Sequence, residues 1–106
     1  ADEEAFGLAR NHETDLIVNG VLSNDEEITG IIAKYSTTRS VARISKVNLI
    51  IMKIAIYEIK YDDKVTGAAA INEAIELGKK YAYKQDCAFI NGVLNSYLEE
   101  YENARD

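Results

Sequence analysis

Apolar positions recur at intervals of three and four through most of this chain, a pattern that predicts helices rather than strands. Phe6, Ala9, Leu16, Ile17, Val21 and Leu22 fall roughly on that spacing, and Asp2, Glu3 and Glu4 before them suit a helix N-terminus. Ser23 and Glu26 match a capping box that would open a second helix over 24–35, packing Ile28, Ile31, Ile32 and Tyr35. One long helix over 3–35, bent near Gly20 or Gly30, is the favoured expectation. The polar "STTRS" at 36–40 predicts a turn or helix start, and 39–44 a short helix. Ser45 caps the next helix, expected over 46–60, where Val47, Ile50, Ile51, Ile54 and Glu58 share one stripe. Apolar residues are nearly continuous over 49–56, so this helix is expected to be the central buried one. "YDDKVTG" at 61–67 reads as a loop. Ala68 to Tyr81 reads as a helix turning Ala70, Ile71, Ala74, Ile75 and Gly78 inward. After the turn "YAYKQD", a last helix over 86–102 carries Phe89, Ile90, Val93, Leu94, Tyr97 and Leu98. The expected fold is all-α, a compact bundle of about five helices.

Composition supports that picture. The 106 residues include no proline and six glycines, so helix breakers are scarce. The length predicts a single domain over 1–106, able to bury one core. The longest apolar run, "VNLIIMKIAI", is short and interrupted by Lys53, so no membrane span is expected. No stretch reads as a signal peptide. The single cysteine, Cys87, has no partner for an internal disulfide and is expected to be a packing residue in a reducing, cytoplasmic setting. The net charge of −6 argues against a strongly basic nucleic-acid binder, though not against a local basic patch.

Little catalytic chemistry is on offer. His12 is the only histidine and lies far from Cys87, so neither a metal site nor a nucleophile–base pair is expected. No cofactor motif occurs. Glu58 falls on an apolar stripe and needs a partner there, with Arg43 and Lys53 the nearest candidates in sequence. Asn72 and Asn91 sit beside buried-face residues, and Gly92 would let a neighbouring backbone approach; both amides are expected to lock helices together. Lys79, Lys80 and Lys84 gather before Phe89 with Tyr81 and Tyr83 between them. Basic residues mixed with aromatics are what single-stranded RNA needs, charge for phosphate and rings for stacking.

Three blocks carry a resemblance: "RISKVNLIIMKIAIYEIKY" at 43–61, "AAAINEAIELGKKY" at 68–81 and "FINGVLNSYLEE" at 89–100. In this order and spacing they resemble the C-terminal part of the NusB family of bacterial transcription antitermination factors. The likeness covers about residues 14–100, "INEAIEL" and "FINGVL" being its strongest parts. The resemblance implies an all-helical fold and a role without catalysis. It implies binding of the boxA element of nascent RNA, together with a small-subunit ribosomal protein (NusE), within the RNA polymerase antitermination complex. Phe89 matches a family position implicated in RNA contact, which makes Lys80, Lys84, Gln85, Asp86 and Phe89 the RNA-binding candidates. Lys46 and Asn48 are candidates for the ribosomal-protein surface. Glu58, the pair Asn72 and Glu73, and the pair Asn91 and Gly92 match family positions expected to be structural.

The departures are specific. No arginine-rich helix opens this sequence, although family members usually begin with one. The family's Trp is replaced by Arg39, its Asp by Asn48, its Arg by Lys53 and its Pro by Thr66. The chain starts without Met in what reads as helix, so a fragment lacking its N-terminal helices is expected. The faces those helices would cover should then favour a homodimer or poor solubility. Two alternatives remain open: the NusB-like domain of a ribosomal RNA cytosine methyltransferase, and a helical interaction domain without RNA binding.

Overall fold

The computed structural model describes residues 12–105, with side chains from residue 16 onward. The predicted opening of the first helix, with Asp2, Glu3, Glu4, Phe6 and Ala9, lies outside the described residues. Five α-helices follow in order: α1 (His12–Ser23), α2 (Asp25–Tyr35), α3 (Lys46–Tyr61), α4 (Gly67–Tyr81) and α5 (Lys84–Arg105). A single 3-10 turn, Val41–Arg43, joins α2 to α3. The expected all-α bundle is what forms.

The long helix expected across 3–35 is in fact two helices, and the reason is Asn24. Its side-chain Nδ2 donates to the Gly20 carbonyl at 2.8 Å, competing with the helical backbone as short amide side chains do. Asn24 leaves helical geometry, with φ −117° and ψ 20°. Asp25, Glu26 and Glu27 then occupy the first turn of α2, where the exposed amide ends favour acids. The Ser23–Glu26 capping box is not the device that opens α2; its cap is Asn24, with no side-chain capping bond. Neither suspected glycine bends the chain. Gly20 stays in α1 and admits the Tyr57 ring: a Cβ there would sit 2.2 Å from Tyr57 Cζ.

Ser45 caps α3 as expected, whereas α4 opens at Gly67 on a Thr66 cap within the stretch read as loop, and α5 opens at Lys84 rather than at 86. Ser45 Oγ accepts from the Asn48 amide at 3.2 Å, and Thr66 Oγ1 accepts from the Ala69 amide at 3.1 Å. Around α3 pack α1, α2, α4 and α5. Its buried residues are Val47, Asn48, Ile51, Met52, Ala55, Ile56, Glu58 and Ile59, too many for one stripe, so the helix is covered on several sides. Ile28 and Ile32 of α2 and Ile90 and Leu94 of α5 close the core, each at 0% exposure. At the far end Tyr35 meets Tyr97 edge to face, ring centroids 6.0 Å apart.

Gly20 and Gly30, both α-helical, make a direct comparison. Nothing lies within 4 Å of a Cβ built on Gly30, whereas one on Gly20 meets the Tyr57 ring. Gly30→Ala is expected to raise stability by about 1 kcal/mol through helix propensity. Gly20→Ala is expected to lower it by about 1–2 kcal/mol, the clash outweighing the same propensity gain. Urea unfolding of both variants beside the parent checks the pair.

Candidate functional site

Two surfaces carry chemistry. The first is the corner where α4 turns into α5. Lys79 and Lys80 close α4, where the helix dipole favours cations. The chain leaves the helix at Ala82, and Tyr83 stands 75% exposed at the turn. The Asp86 amide donates to the Tyr83 carbonyl at 2.9 Å as α5 begins. Lys84 and Gln85 are exposed on the first turn. Phe89, a turn further, is half-buried and packs against the core.

Asp86 does not face solvent as an RNA-contact residue would. It is buried at 8% exposure, and its Oδ1 accepts from Arg39 Nη1 at 3.0 Å. The same guanidinium lies over the Phe89 ring, its Cζ 4.3 Å from the ring centroid. A buried carboxylate needs such a charge-assisted partner, and the ring face adds a cation–π attraction. Ser36 Oγ donates to the Arg39 carbonyl at 2.5 Å and holds the loop that delivers this residue. Arg39 was legible only as the residue standing where the family has Trp. It reaches the corner across 47 positions of sequence, a distance no local pattern reveals.

The second surface is a cleft between α1, α3 and α4, of about 1170 Å³. Ile17, Ile50, Ile54 and Leu77 wall it, and its charged lining mixes Glu58, Asp62, Glu73 and Glu76 with Lys64, Lys79 and Lys80. That volume exceeds the usual range of small-molecule pockets and suits a stretch of polypeptide better. Glu58 is buried at 7% exposure. Burial, reinforced by the negative charges of Glu73 and Asp62, pushes its carboxyl up to about 7. Neither cation expected to neutralise it does so: Lys53 Nζ binds Asp25 at 2.7 Å, and Arg43 is exposed. Lys80 stands on the wall of this cleft beside Lys79, and its ammonium lies 5.3 Å from the centroid of the Tyr81 ring. The lysines read together in the sequence therefore divide between the two surfaces.

The remaining candidates fall elsewhere. Lys46 is exposed on the first turn of α3, but Asn48 is 1% exposed and offers nothing to a partner. Neither polar atom of its side chain has a hydrogen-bond partner. Asn72 and Glu73 are exposed, so Asn72 locks no helices. Asn91 is also exposed, and its side-chain bond stays within α5: Asn95 Nδ2 donates to Asn91 Oδ1 at 2.7 Å. A Cβ on Gly92 would meet nothing within 4 Å, so no backbone approaches there. Each of these amides follows a buried residue in sequence, but one residue is a 100° turn on a helix, enough to carry it to solvent. Among the described residues no cluster of His, Cys, Asp and Glu could hold a metal ion. No helix among them is long and apolar enough to cross a membrane.

The fold is a small all-helical bundle whose notable surfaces are an aromatic–basic corner and a cleft of mixed charge that holds Glu58. The NusB family model matches residues 3–99, so the chain belongs to the NusB family. It is 45% identical over 83 residues to the transcription antitermination protein NusB of Acetivibrio thermocellus, a match covering 78% of the chain and 57% of that protein. It is 38% identical over 109 residues to the protein of the same name from Clostridium botulinum strain Alaska E43, covering 92% of the chain and 82% of that protein. For the Geotalea daltonii protein of that name the identity is 44% over 92 residues, covering 87% and 63%. The chain thus spans little more than half the length of some of these relatives.

Glu58 gives a pH test. Its folded pKa, about 7, lies above the ordinary 4.5, so the fold prefers the protonated carboxyl. That stabilisation is full below about pH 4.5 and is lost as pH rises through about 7. Glu58→Gln should therefore gain on the parent between pH 5 and pH 8 by on the order of 2 kcal/mol. Equal pH dependence of the two in denaturant unfolding would show that Glu58 does not titrate this way.

Proposed function

We propose that this chain is a non-catalytic adaptor of transcription antitermination, binding boxA-type RNA together with the ribosomal protein NusE. The family match over residues 3–99 carries this reading, and the relatives it aligns with bear the name antitermination protein. None of those relatives is named as a methyltransferase, which favours an adaptor over a domain of such an enzyme. The RNA surface in this reading is the corner of Lys84, Gln85, Tyr83 and Phe89, where exposed cations surround aromatic rings. Lys80 contributes from the neighbouring wall, and Asp86 acts beneath the surface by holding Arg39.

The partner surface is better assigned to the cleft than to Lys46 and Asn48. Glu58, unneutralised although Lys64, Lys79 and Lys80 lie elsewhere on the cleft lining, suits a segment of NusE that presents a basic side chain among apolar ones. The rival reading, a helical interaction domain without RNA binding, is favoured by one observation: Arg39 covers the Phe89 ring.

Fluorescence anisotropy of a labelled boxA-type RNA against a scrambled control tests the proposal, with and without NusE and at two salt concentrations. Selective binding, tightened by NusE and weakened about tenfold or more by Phe89→Asp, is the expected result. Glu58→Lys should leave RNA binding by the chain alone intact and remove the effect of NusE. If NusE still acts on that variant, the cleft belongs to another occupant; a second copy of the chain would register as a dimer in light scattering. Equal affinity for boxA-type and scrambled RNA in every condition would favour the rival reading.

A further inference from the structure

Phe89 is half-buried against the core, and the Arg39 guanidinium lies over its ring at 4.3 Å. A base that stacks on the covered face of Phe89 must meet the guanidinium or displace it. Displacement would leave Asp86, at 8% exposure, without its cation, and an unpaired buried carboxylate is strongly unfavourable. The guanidinium is better kept in place. Its side chain is 33% exposed even with Asp86 at its edge and Phe89 beneath it. Guanidinium planes stack on nucleobases as aromatic rings do.

We propose that Arg39 is the nucleobase platform of the corner: fixed by Asp86 and backed by Phe89, it presents its outer face to one base of a single-stranded RNA. Phe89 and Asp86 are then positioning residues that act through Arg39. The inference rests on the RNA-binding reading above and names the residue that makes the stack. It also gives the Phe89–Arg39 contact a role in binding, where the rival reading treats it as a cover.

The test uses the whole chain and a labelled boxA-type RNA, with thermal melting recorded for each variant. Arg39→Lys keeps the charge and loses the plane. It should weaken binding about tenfold, within what one base stack contributes, at an unchanged melting temperature. Its salt dependence should equal the parent's, because loss of a phosphate contact would move the slope by about 0.7 and loss of a stack does not. Arg39→Trp combined with Asp86→Asn, which removes the carboxylate that Trp cannot pair, restores a plane without a charge and should recover most of the affinity. A Lys variant that binds like the parent, or a folded Trp variant as weak as Lys, overturns the proposal. If the Trp variant does not fold, 2-aminopurine placed in turn at each RNA position decides on the parent chain and Arg39→Lys. One position should have a fluorescence that depends on Arg39; none doing so overturns the proposal. A parent chain that binds no RNA removes the functional reading itself. A parent that binds alongside an equally good Lys variant removes only the assignment to Arg39.

Discussion

The burial of α3 on several sides is the constraint from which the rest of the structure follows. An ordinary surface helix hides one stripe and leaves the opposite face to water. Here four other helices pack around sixteen residues, and polar positions on α3 are drawn inside with the apolar ones. Asn48 and Glu58 are the result. An unpaired buried amide costs about 1–3 kcal/mol, and a buried carboxylate is tolerated chiefly by taking up a proton. The core around Ile51, Met52 and Ile56 is large enough to absorb both. Polar groups held at such a cost mark positions where something besides stability sets the residue.

Their surroundings differ. Asn48 is sealed within the bundle at 1% exposure, whereas Glu58 borders an open cleft with two more acids near it. A group that borders a cleft can be relieved by whatever enters, and a sealed one cannot. This separates a candidate docking residue from a purely internal one, although both sit on α3 and both are buried. The opposite logic governs Asp86. Its charge is met from within by Arg39, so the α4–α5 corner is electrostatically complete before any ligand arrives.

Much of the fold was legible because its signals are local. Ser45 marks its helix start by chemistry that acts across three residues, and the Ile51–Ile56 run marks a buried helix by continuity alone, while Thr66 has the same capping chemistry but was read as loop. The break at Asn24 was less legible, because a glycine was the obvious breaker and an amide bonding back four residues leaves no compositional trace. The stripe position of Glu58 was readable, but the absence of a neighbouring cation depends on Lys53 turning to Asp25 on another helix. The site suffered most. Its organising residue, Arg39, lies in a polar loop whose sequence predicts only a turn, and its partners belong to α5.

Under the proposed RNA-binding reading, the net charge of −6 over these 106 residues bears on how the corner would bind. A protein that gains affinity by neutralising phosphates needs many free cations, and at this corner the guanidinium is already paired with Asp86. Lys79 is likewise engaged, 3.4 Å from Glu76. What is left in quantity is flat surface: an exposed Tyr83, and a guanidinium held over Phe89. Stacking is short-ranged and indifferent to the overall field, so an acidic chain can use it where long-range attraction is unavailable. Binding through planes rather than through charge also favours unpaired bases over duplex, whose bases are already stacked. In the proposed reading the corner is fitted to a single-stranded element, and the strength of binding depends on how rigidly Asp86 and Phe89 hold one arginine.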